Sequence, residues 1–216
     1  MESQAPTTGE SPYPVSFSVE YPDRDLNRLT TAFRLFMAIP IVIVAAAIGG
    51  NETAGYATEH WEWGATTGGL LFFAPLLLIV FRQKYPRWWF DWNLELMRFE
   101  NRICAYLALF DDRYPSTDEH QSVRLDFPYP DARRDLNRWL PLVKWLLAIP
   151  HYVVLVFLWL ASVVCVILAW FAILFTGRYP RGLFDFVVGV LRWGNRVWAY
   201  AFLLVTDAYP PFRLSP

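Results

Sequence analysis

The chain repeats itself, and this repeat constrains its fold more than any other feature of the sequence. The segment DLNR begins at Asp25 and again at Asp135, and AIP begins at Ala38 and again 110 positions later (148 minus 38). A second block, YPR followed by FD, R, NR and AY, begins at Tyr85 and again 94 positions later (179 minus 85). Repeats of this kind indicate copies of one structural unit. We therefore predict two tandem copies, the first with 16 extra residues (110 minus 94) between its two blocks.

Domain boundaries follow from the repeat. Residues 1–14 are predicted to be a flexible polar tail, residues 15–115 the first copy and residues 116–216 the second. Each copy opens with a polar leader, YPVSFSVEYPD in the first and QSVRLDFPYPD in the second, in which apolar and polar residues alternate before a proline. This alternation predicts one short β-strand in each leader.

Composition indicates a protein that faces lipid. Hydrophobic residues make up 55% of the chain and charged residues 18%, against about 25% charged in soluble domains. The net charge of -1 gives no positively charged field that would attract nucleic acid. The N-terminal residues contain no early apolar run, so a cleaved signal peptide is not expected. Cys104 and Cys165 lie in apolar stretches away from other cysteines, which favours packing roles over a disulfide or zinc site.

Apolar runs long enough for membrane helices occur in both copies. The first copy has runs at 29–48 and 67–81, separated by an acidic, water-facing loop, with Arg34 expected to snorkel to the membrane surface. The second copy has one unbroken apolar run over 140–175. That run is either a helical hairpin turning near Ala161 and Ser162, or one span preceded by an interfacial helix.

Charge favours the hairpin, although no glycine or proline lies at the proposed turn. Cationic residues of short loops stay in the cytoplasm. Ten of them flank the apolar runs: Arg24, Arg28, Arg82, Lys84, Arg87, Arg133, Arg134, Arg138, Arg178 and Arg181. All can be cytoplasmic only if each copy crosses the membrane an even number of times. We therefore predict a multi-pass protein with both termini cytoplasmic, in which the 16 extra residues form an extracytoplasmic loop.

The segments after each YPR motif are predicted to be amphipathic helices that lie in the membrane interface. Residues 183–205 are apolar, but Asp185, Arg192 and Arg196 fall on one face of a helix. A charged residue at mid-bilayer costs roughly 2.5 to 3.5 kcal/mol, more than the surrounding apolar residues return. The corresponding residues 89–110 carry further acids, Glu95 and Glu100, and follow tryptophans suited to headgroup depth.

The polar stripes of these two helices are the candidate site. Their residues are Asp91, Arg98, Asn101, Arg102, Asp185, Arg192, Asn195 and Arg196. One interpretation is that they position helices through ion pairs and lipid headgroups. The other is a polar site between the copies that binds a small anionic ligand or a lipid.

Other polar residues suggest no chemistry. The acidic loop contains Glu59, His60 and Glu62, too few ligands to predict a metal site. His151 lies alone in an apolar run and is expected to pack, and Pro40 and Pro150 are expected to kink helices that neighbouring helices support. No catalytic motif and no cofactor motif is present, so no enzyme, cofactor or metal is predicted.

The chain resembles an uncharacterised bacterial family of integral membrane proteins, the domain of unknown function 4389 (DUF4389). The resemblance rests on DLNRWLPLVKWLLAIPHYVVL and on FTGRYPRGLFDFVVGVLRWGNRVWAYAFLLVTDAYPPF, with weaker versions in the first copy. It implies a bacterial inner-membrane protein with two tandem copies of the domain, and it supplies no activity and no catalytic residues.

These observations predict an all-α membrane protein of two tandem repeats. Each repeat is a transmembrane helical hairpin plus an interfacial amphipathic helix, with short β-strands in the cytoplasmic leaders. The function expected is that of a non-enzymatic scaffold or accessory subunit of a membrane complex. The alternative is a small transporter or lipid-binding protein with a polar site between the repeats. The expected partners are membrane lipids and either a membrane protein or a second copy of the chain, but not nucleic acid.

Overall fold

The computed structural model of the protein describes residues 13–49, 73–116 and 121–216. In chain order the elements are β1 (Ser16–Val19), α1 (Arg28–Gly49), α2 (Phe73–Arg82, a π-helix over Leu78–Arg82), α3 (Arg87–Leu107), β2 (Val123–Asp126), α4 (Pro141–Leu147), α5 (Ile149–Thr176) and α6 (Arg181–Ala201). The fold is mostly helical with one small sheet, as the sequence predicts. The predicted acidic loop, with Glu59, His60 and Glu62, and most of the predicted polar tail lie outside the described residues.

The two predicted leader strands exist, and they pair with each other. Strands β1 and β2 are antiparallel, with Phe17 opposite Leu125 and Ser18 opposite Arg124. Phe17 and Leu125 stand at corresponding positions of the two leaders, and both are buried, whereas Ser18 and Arg124 are exposed. The alternation of the leaders therefore gives a ribbon with one face in the core.

Helix α1 buries one narrow stripe and exposes the rest of its surface. The stripe consists of Thr31, Arg34, Ala38 and Ile41, spaced three and four residues apart. This spacing places them on one helix face. The residues 110 positions later, Pro141, Lys144, Ala148 and His151, are buried in the same way.

The predicted hairpin in the second copy is wrong. Helix α5 runs without interruption through Ala161 and Ser162 over 28 residues. No residue of this segment breaks a helix between Pro150 and Gly177, and Ser162 is buried on the inward stripe rather than placed in a turn. The positive-inside rule had favoured the hairpin, but that rule concerns the side on which cations lie and contains no information about a turn.

The predicted kink at Pro150 corresponds to an interruption of the helix two residues before it. The chain breaks at Ala148, between α4 and α5, and Pro150 lies in the first turn of α5. A proline there is harmless because the first N–H groups of a helix have no intrahelical acceptor. Pro40, in contrast, lies inside α1.

The two amphipathic helices begin and end at equivalent places. Pro86 and Pro180, both extended, precede the first residues of α3 and α6. After each helix a leucine adopts positive φ, Leu109 at 67° and Leu204 at 58°. The YPR motif therefore marks the start of each amphipathic helix, and a left-handed residue follows its end.

The elements form three layers. Strand β1 packs on α6 and β2 packs on α3, while α1 packs on α3, and α5 packs on both α1 and α6. The sheet thus lies on one side of α3 and α6, and the apolar helices lie on the other. Phe90, Phe184 and Ile173 belong to the main core, which fills the space around this middle layer.

Replacement of Ala161 by proline tests the continuity of α5. The Ala161→Pro variant should lose about 3 kcal/mol of unfolding free energy, because a mid-helix proline removes one hydrogen bond and clashes with the preceding turn. Thermal unfolding in detergent micelles measures the loss, with Ala161→Ser as the control. Wild-type stability in the proline variant would indicate a turn at this position.

Candidate functional site

The asparagines of the two predicted polar stripes meet in the protein interior. Asn101 of α3 and Asn195 of α6 exchange two hydrogen bonds: Nδ2 of Asn101 donates to Oδ1 of Asn195 at 2.9 Å, and Nδ2 of Asn195 donates back at 2.7 Å. Each amide also donates to a carbonyl of its own helix, at Met97 and at Leu191. Both side chains are buried, so the pair satisfies polar groups where water does not reach.

Arg98 and Arg192 bind the leader strands. Nε of Arg98 donates to the carbonyl of Leu125 at 2.9 Å, and Nε of Arg192 donates to the carbonyl of Phe17 at 3.0 Å. Each amphipathic helix therefore holds the leader of the other copy. Arg192 also donates to the carbonyl of Leu214 at 2.8 Å, and partial burial lowers the pKa of its guanidinium.

Arg102 binds the segment that follows α3, and Arg196 contacts the segment that follows α6 and the residues before β1. Nη1 of Arg102 donates to the carbonyl of Ser116 at 2.7 Å. Nη1 of Arg196 donates to the carbonyl of Arg213 at 3.4 Å, and its guanidinium lies 5.7 Å from the ring centre of Tyr13. Burial lowers the pKa of the Arg196 guanidinium, and Arg192 and Arg213 lower it further.

The two aspartates of the stripes are exposed on their helices. The Nε of Arg87 lies 3.9 Å from Oδ2 of Asp91, and the Asp185 carboxylate acts on the charge of Arg192 from a greater distance. Of the eight predicted residues, the asparagines bond directly to each other, and Arg192 and Arg196 lie close enough for their charges to interact. These two arginines donate to the carbonyls of adjacent residues, Leu214 and Arg213, whereas Arg98 and Arg102 donate to carbonyls elsewhere.

A pair of buried cations that the sequence reasoning missed lies at the helix beginnings. The Arg34 side chain is 2% exposed and the Lys144 side chain 0%. Arg34 donates to the carbonyls of Tyr106 at 3.1 Å and Asp111 at 2.7 Å, and it pairs with the Asp112 carboxylate. The prediction that Arg34 snorkels to the membrane surface is therefore wrong, because these acceptors hold it inside the protein.

Lys144 has equivalent partners in the second copy. Its Nζ lies 2.7 Å from the carbonyl oxygen of Thr206 and 2.7 Å from Oδ1 of Asp207. Burial lowers the pKa of the ammonium, and the Asp207 carboxylate counteracts that effect. The sequence signal was available: a cation recurs at the same repeat position, and an aspartate precedes each YP dipeptide at Tyr114 and Tyr209.

Two cavities lie between the middle layer and the apolar helices. One, of about 510 Å³, is lined by Glu100, Asn101, Asn195 and Trp159 together with apolar side chains. Apolar surroundings raise the pKa of the Glu100 carboxyl. The other, of about 490 Å³, lies against Trp159, Ser162 and Trp170. Asp91, Arg98, Asp185 and Arg192, which a transport cavity would require at its lining, contribute to neither.

His151 packs as the sequence predicts. Its Nδ1 accepts a hydrogen bond from the Trp193 indole at 3.1 Å, and its ring stacks on Phe212 with centroids 3.9 Å apart. The described residues contain no group of three or more His, Cys, Asp or Glu side chains placed to hold a metal ion.

Comparison with known families gives one result. Residues 139–213 match a domain of unknown function, DUF4389. The match covers 75 residues (213 minus 139, plus one) of the 216. It is a single copy, so the two DUF4389 copies predicted from the sequence are found for the second half only. No curated protein sequence and no solved structure matches the chain.

The DUF4389 stretch contains four of the polar residues described above, each with a counterpart at the related position of the first half. Lys144, Arg192, Asn195 and Arg196 lie within it, and Asp207 supplies the carboxylate for Lys144. Their counterparts Arg34, Arg98, Asn101 and Arg102 lie before it. Arg192 and Asn195 bond the matched stretch to the first half, at the Phe17 carbonyl and at Asn101, whereas Lys144 bonds to Thr206 and Asp207 within the stretch.

Replacing both asparagines together should cost less unfolding free energy than the sum of the two single replacements. Asn195→Leu leaves the buried Asn101 amide without its partner, a loss of about 1–3 kcal/mol. We expect Asn101→Leu/Asn195→Leu to lose less than the sum of the single variants, with a coupling of at least about 0.5 kcal/mol. Denaturant unfolding in micelles measures all three.

Asn93 supplies the control. It is also buried on α3 but is bonded to Trp89 of its own helix, so the effects of Asn93→Leu and Asn195→Leu should be additive. Equal additivity in both cycles would contradict the account.

The buried ammonium in the DUF4389 stretch should also stabilise the fold. Lys144→Met leaves Asp207 without its cation and should lose roughly 1–3 kcal/mol, less than the roughly 3–5 kcal/mol of a fully buried pair because Asp207 is partly exposed. Arg134→Met removes a cation whose side chain is 87% exposed and should change stability by less than about 0.5 kcal/mol. Indistinguishable melting temperatures for the two variants would show that the Lys144 contact is not structural.

Proposed function

We propose that the protein is a small membrane-bound scaffold or accessory subunit without enzymatic activity. The proposal rests on how the protein uses its polar side chains, which bond within the protein. The arginines and asparagines of the predicted site bind backbone carbonyls or each other, while the apolar surfaces of α1 and α5 remain exposed. A chain that uses its polar residues for internal bonds has little left for chemistry, and an exposed apolar surface of this extent indicates a lipid or protein contact.

We further propose that the two halves are tandem copies of the DUF4389 unit, related by an approximate two-fold axis. Contacts at repeat-related positions support this. The Tyr21 hydroxyl donates to the carbonyl of Tyr179, and the Tyr129 hydroxyl donates to the carbonyl of Tyr85. The Asn101–Asn195 pair and the Phe17–Leu125 pair each join equivalent residues, as a two-fold axis passing between them requires.

The proposed location is the bacterial inner membrane, with both termini in the cytoplasm. Helices Arg28–Ala45 and Ile149–Thr176 are long and apolar enough to cross a membrane. The ten cations that flank the apolar runs are all exposed, so each is free to face the cytoplasm or anionic headgroups. The multi-pass arrangement loses its support in the second half, because the hairpin on which it depended is absent.

Lipid binding is the second candidate. The two cavities have mostly apolar walls and open between α5 and the middle layer, which suits an acyl chain better than a polar solute. Transport of a polar solute lacks a comparable observation.

Affinity purification from native membranes distinguishes these roles. A scaffold should recover a partner in fixed stoichiometry, and Arg124→Glu on the exposed polar face should weaken that recovery several-fold. Arg133→Glu, an exposed cation elsewhere, should not. Both variants should remain in the membrane fraction. Recovery of the protein alone, carrying tightly held lipid, would favour the lipid-binding role.

A further inference from the structure

The order of the layers defines how the protein can meet a bilayer. Arg98 and Arg192 lie near the middle of α3 and α6, and they bind the leader strands there. The exposed pair of Arg124 and Glu20, joined at 2.7 Å, belongs to the same leaders. The polar layer therefore covers the centre of the amphipathic helices and not their ends.

Helix α5 lies along the opposite face of that middle layer. At its beginning Tyr152 has its ring centre 6.0 Å from that of Phe202, near its middle Trp159 approaches Gly194, and beyond its end only residues 177–180 separate it from the start of α6. Helices α5 and α6 are thus antiparallel neighbours over most of their length. The centre of α5 has α6 and then the charged leaders behind it.

An upright α5 would place charged groups inside the bilayer. If α5 stood along the membrane normal, its antiparallel neighbour α6 and the leaders behind it would lie at the depth of the acyl chains. Arg124 and Glu20, both exposed, would then face hydrocarbon, where ionised side chains are strongly disfavoured. The helix is also about 42 Å long, from 28 residues at 1.5 Å each, against a hydrocarbon core of about 30 Å.

Both ends of α5 are tied to polar segments of the same layer. Before its beginning Lys144 binds Thr206 and Asp207, and after its end the carbonyl of Gly177 accepts a hydrogen bond from the Leu26 N–H at 2.8 Å. Cations stand beside both ends, with Arg134 and Arg138 before α4 and Arg178 and Arg181 after α5. A single crossing would put one of these groups outside the cell, against the distribution of cations in short loops.

The surface that α5 presents is uniform along the helix. Its buried stripe is His151, Leu155, Ser162, Ala169 and Ile173. The opposite stripe, Val153, Leu160, Val164 and Phe171, is exposed throughout. Exposed tryptophans, Trp88, Trp139 and Trp145, lie near the ends of the apolar helices, and tryptophan favours headgroup depth.

We propose that α5 lies flat in one leaflet of the bilayer and does not cross the membrane. The occupant of the apolar surface is the acyl-chain region of that leaflet, with anionic headgroups at the cations beside the helix ends. This placement satisfies the charge distribution without a hairpin. It rests on the proposed membrane association and adds a specific mode of insertion to it.

Depth measurement along the exposed stripe of α5 tests the proposal. In a background in which Cys104 and Cys165 are replaced by alanine, spin labels are attached at Val153→Cys, Leu160→Cys, Val164→Cys and Phe171→Cys. The protein is reconstituted in vesicles of phosphatidylethanolamine and phosphatidylglycerol, and depth is read from the competing effects of oxygen and a water-soluble nickel chelate. A flat helix gives the same depth at all four positions. An upright helix, in which Val153 and Phe171 are about 27 Å apart along the axis, gives labels that are deep at Leu160 and Val164 and shallow at the other two, and this result would overturn the proposal.

A label at Arg124→Cys separates the mode of insertion from membrane association itself. We expect this label to be in water while the four α5 labels are in lipid. An Arg124 label in hydrocarbon would overturn the flat arrangement but leave membrane association intact. Five water-exposed labels, in protein that does not sediment with the vesicles, would overturn both.

The unmodified chain offers an independent test with trypsin. The side chains of Arg134 and Arg178 are 87% and 80% exposed, and they lie on either side of α4 and α5. In inverted membrane vesicles trypsin should cut at both arginines, and in spheroplasts at neither. Cleavage at one arginine from each side of the membrane would show that α5 crosses and would overturn the proposal.

Discussion

Helices α3 and α6 each carry polar side chains on one face, which need hydrogen-bond acceptors, and apolar side chains on the other, which need to be covered. The other elements of the fold meet these two requirements. Arg98 and Arg192 on one face need acceptors, and the leader carbonyls supply them. The opposite face must be covered by apolar side chains, and α1 and α5 supply those. A hydrogen-bonded asparagine pair fixes the two helices against each other. Because an unpaired buried amide is costly, that pair also favours one register of α3 against α6.

The buried cations connect the apolar layer to this middle layer. Arg34 and Lys144 lie on the inward stripes of the apolar segments, yet their acceptors follow the ends of α3 and α6. Each apolar segment is thereby held at its beginning by the end of its own copy's amphipathic helix. At the far end of α5, Gly177 meets Leu26 of the other copy. With contacts at both ends and α6 packed against it between them, α5 is held to the middle layer.

Much of the fold follows from the sequence because its determinants are local. Proline before each amphipathic helix and alternation in each leader are sufficient to place α3, α6, β1 and β2. The hairpin predicted in the second copy is wrong because the charge rule reports which side of the membrane a loop occupies and gives no information about where a helix turns. The acceptors of the stripe arginines are backbone carbonyls, such as those of Phe17 and Leu125, and a sequence pattern does not specify which carbonyls approach a side chain. Arg34 and its acceptor at Asp111 are distant in sequence, and only the repeat itself could have linked them.

The central claim is that the apolar layer lies parallel to the membrane, and circular dichroism of oriented bilayers tests it most directly. The wild-type protein is reconstituted in stacked, aligned bilayers, and the beam passes along the membrane normal. Helices that lie in the membrane plane keep a strong negative band near 208 nm, and helices along the normal lose it. We expect the band to be retained, because α5 is proposed to lie in the membrane plane and α6 runs antiparallel beside it. Substantial loss of the band in the aligned sample, with a normal spectrum in unaligned vesicles, would contradict it.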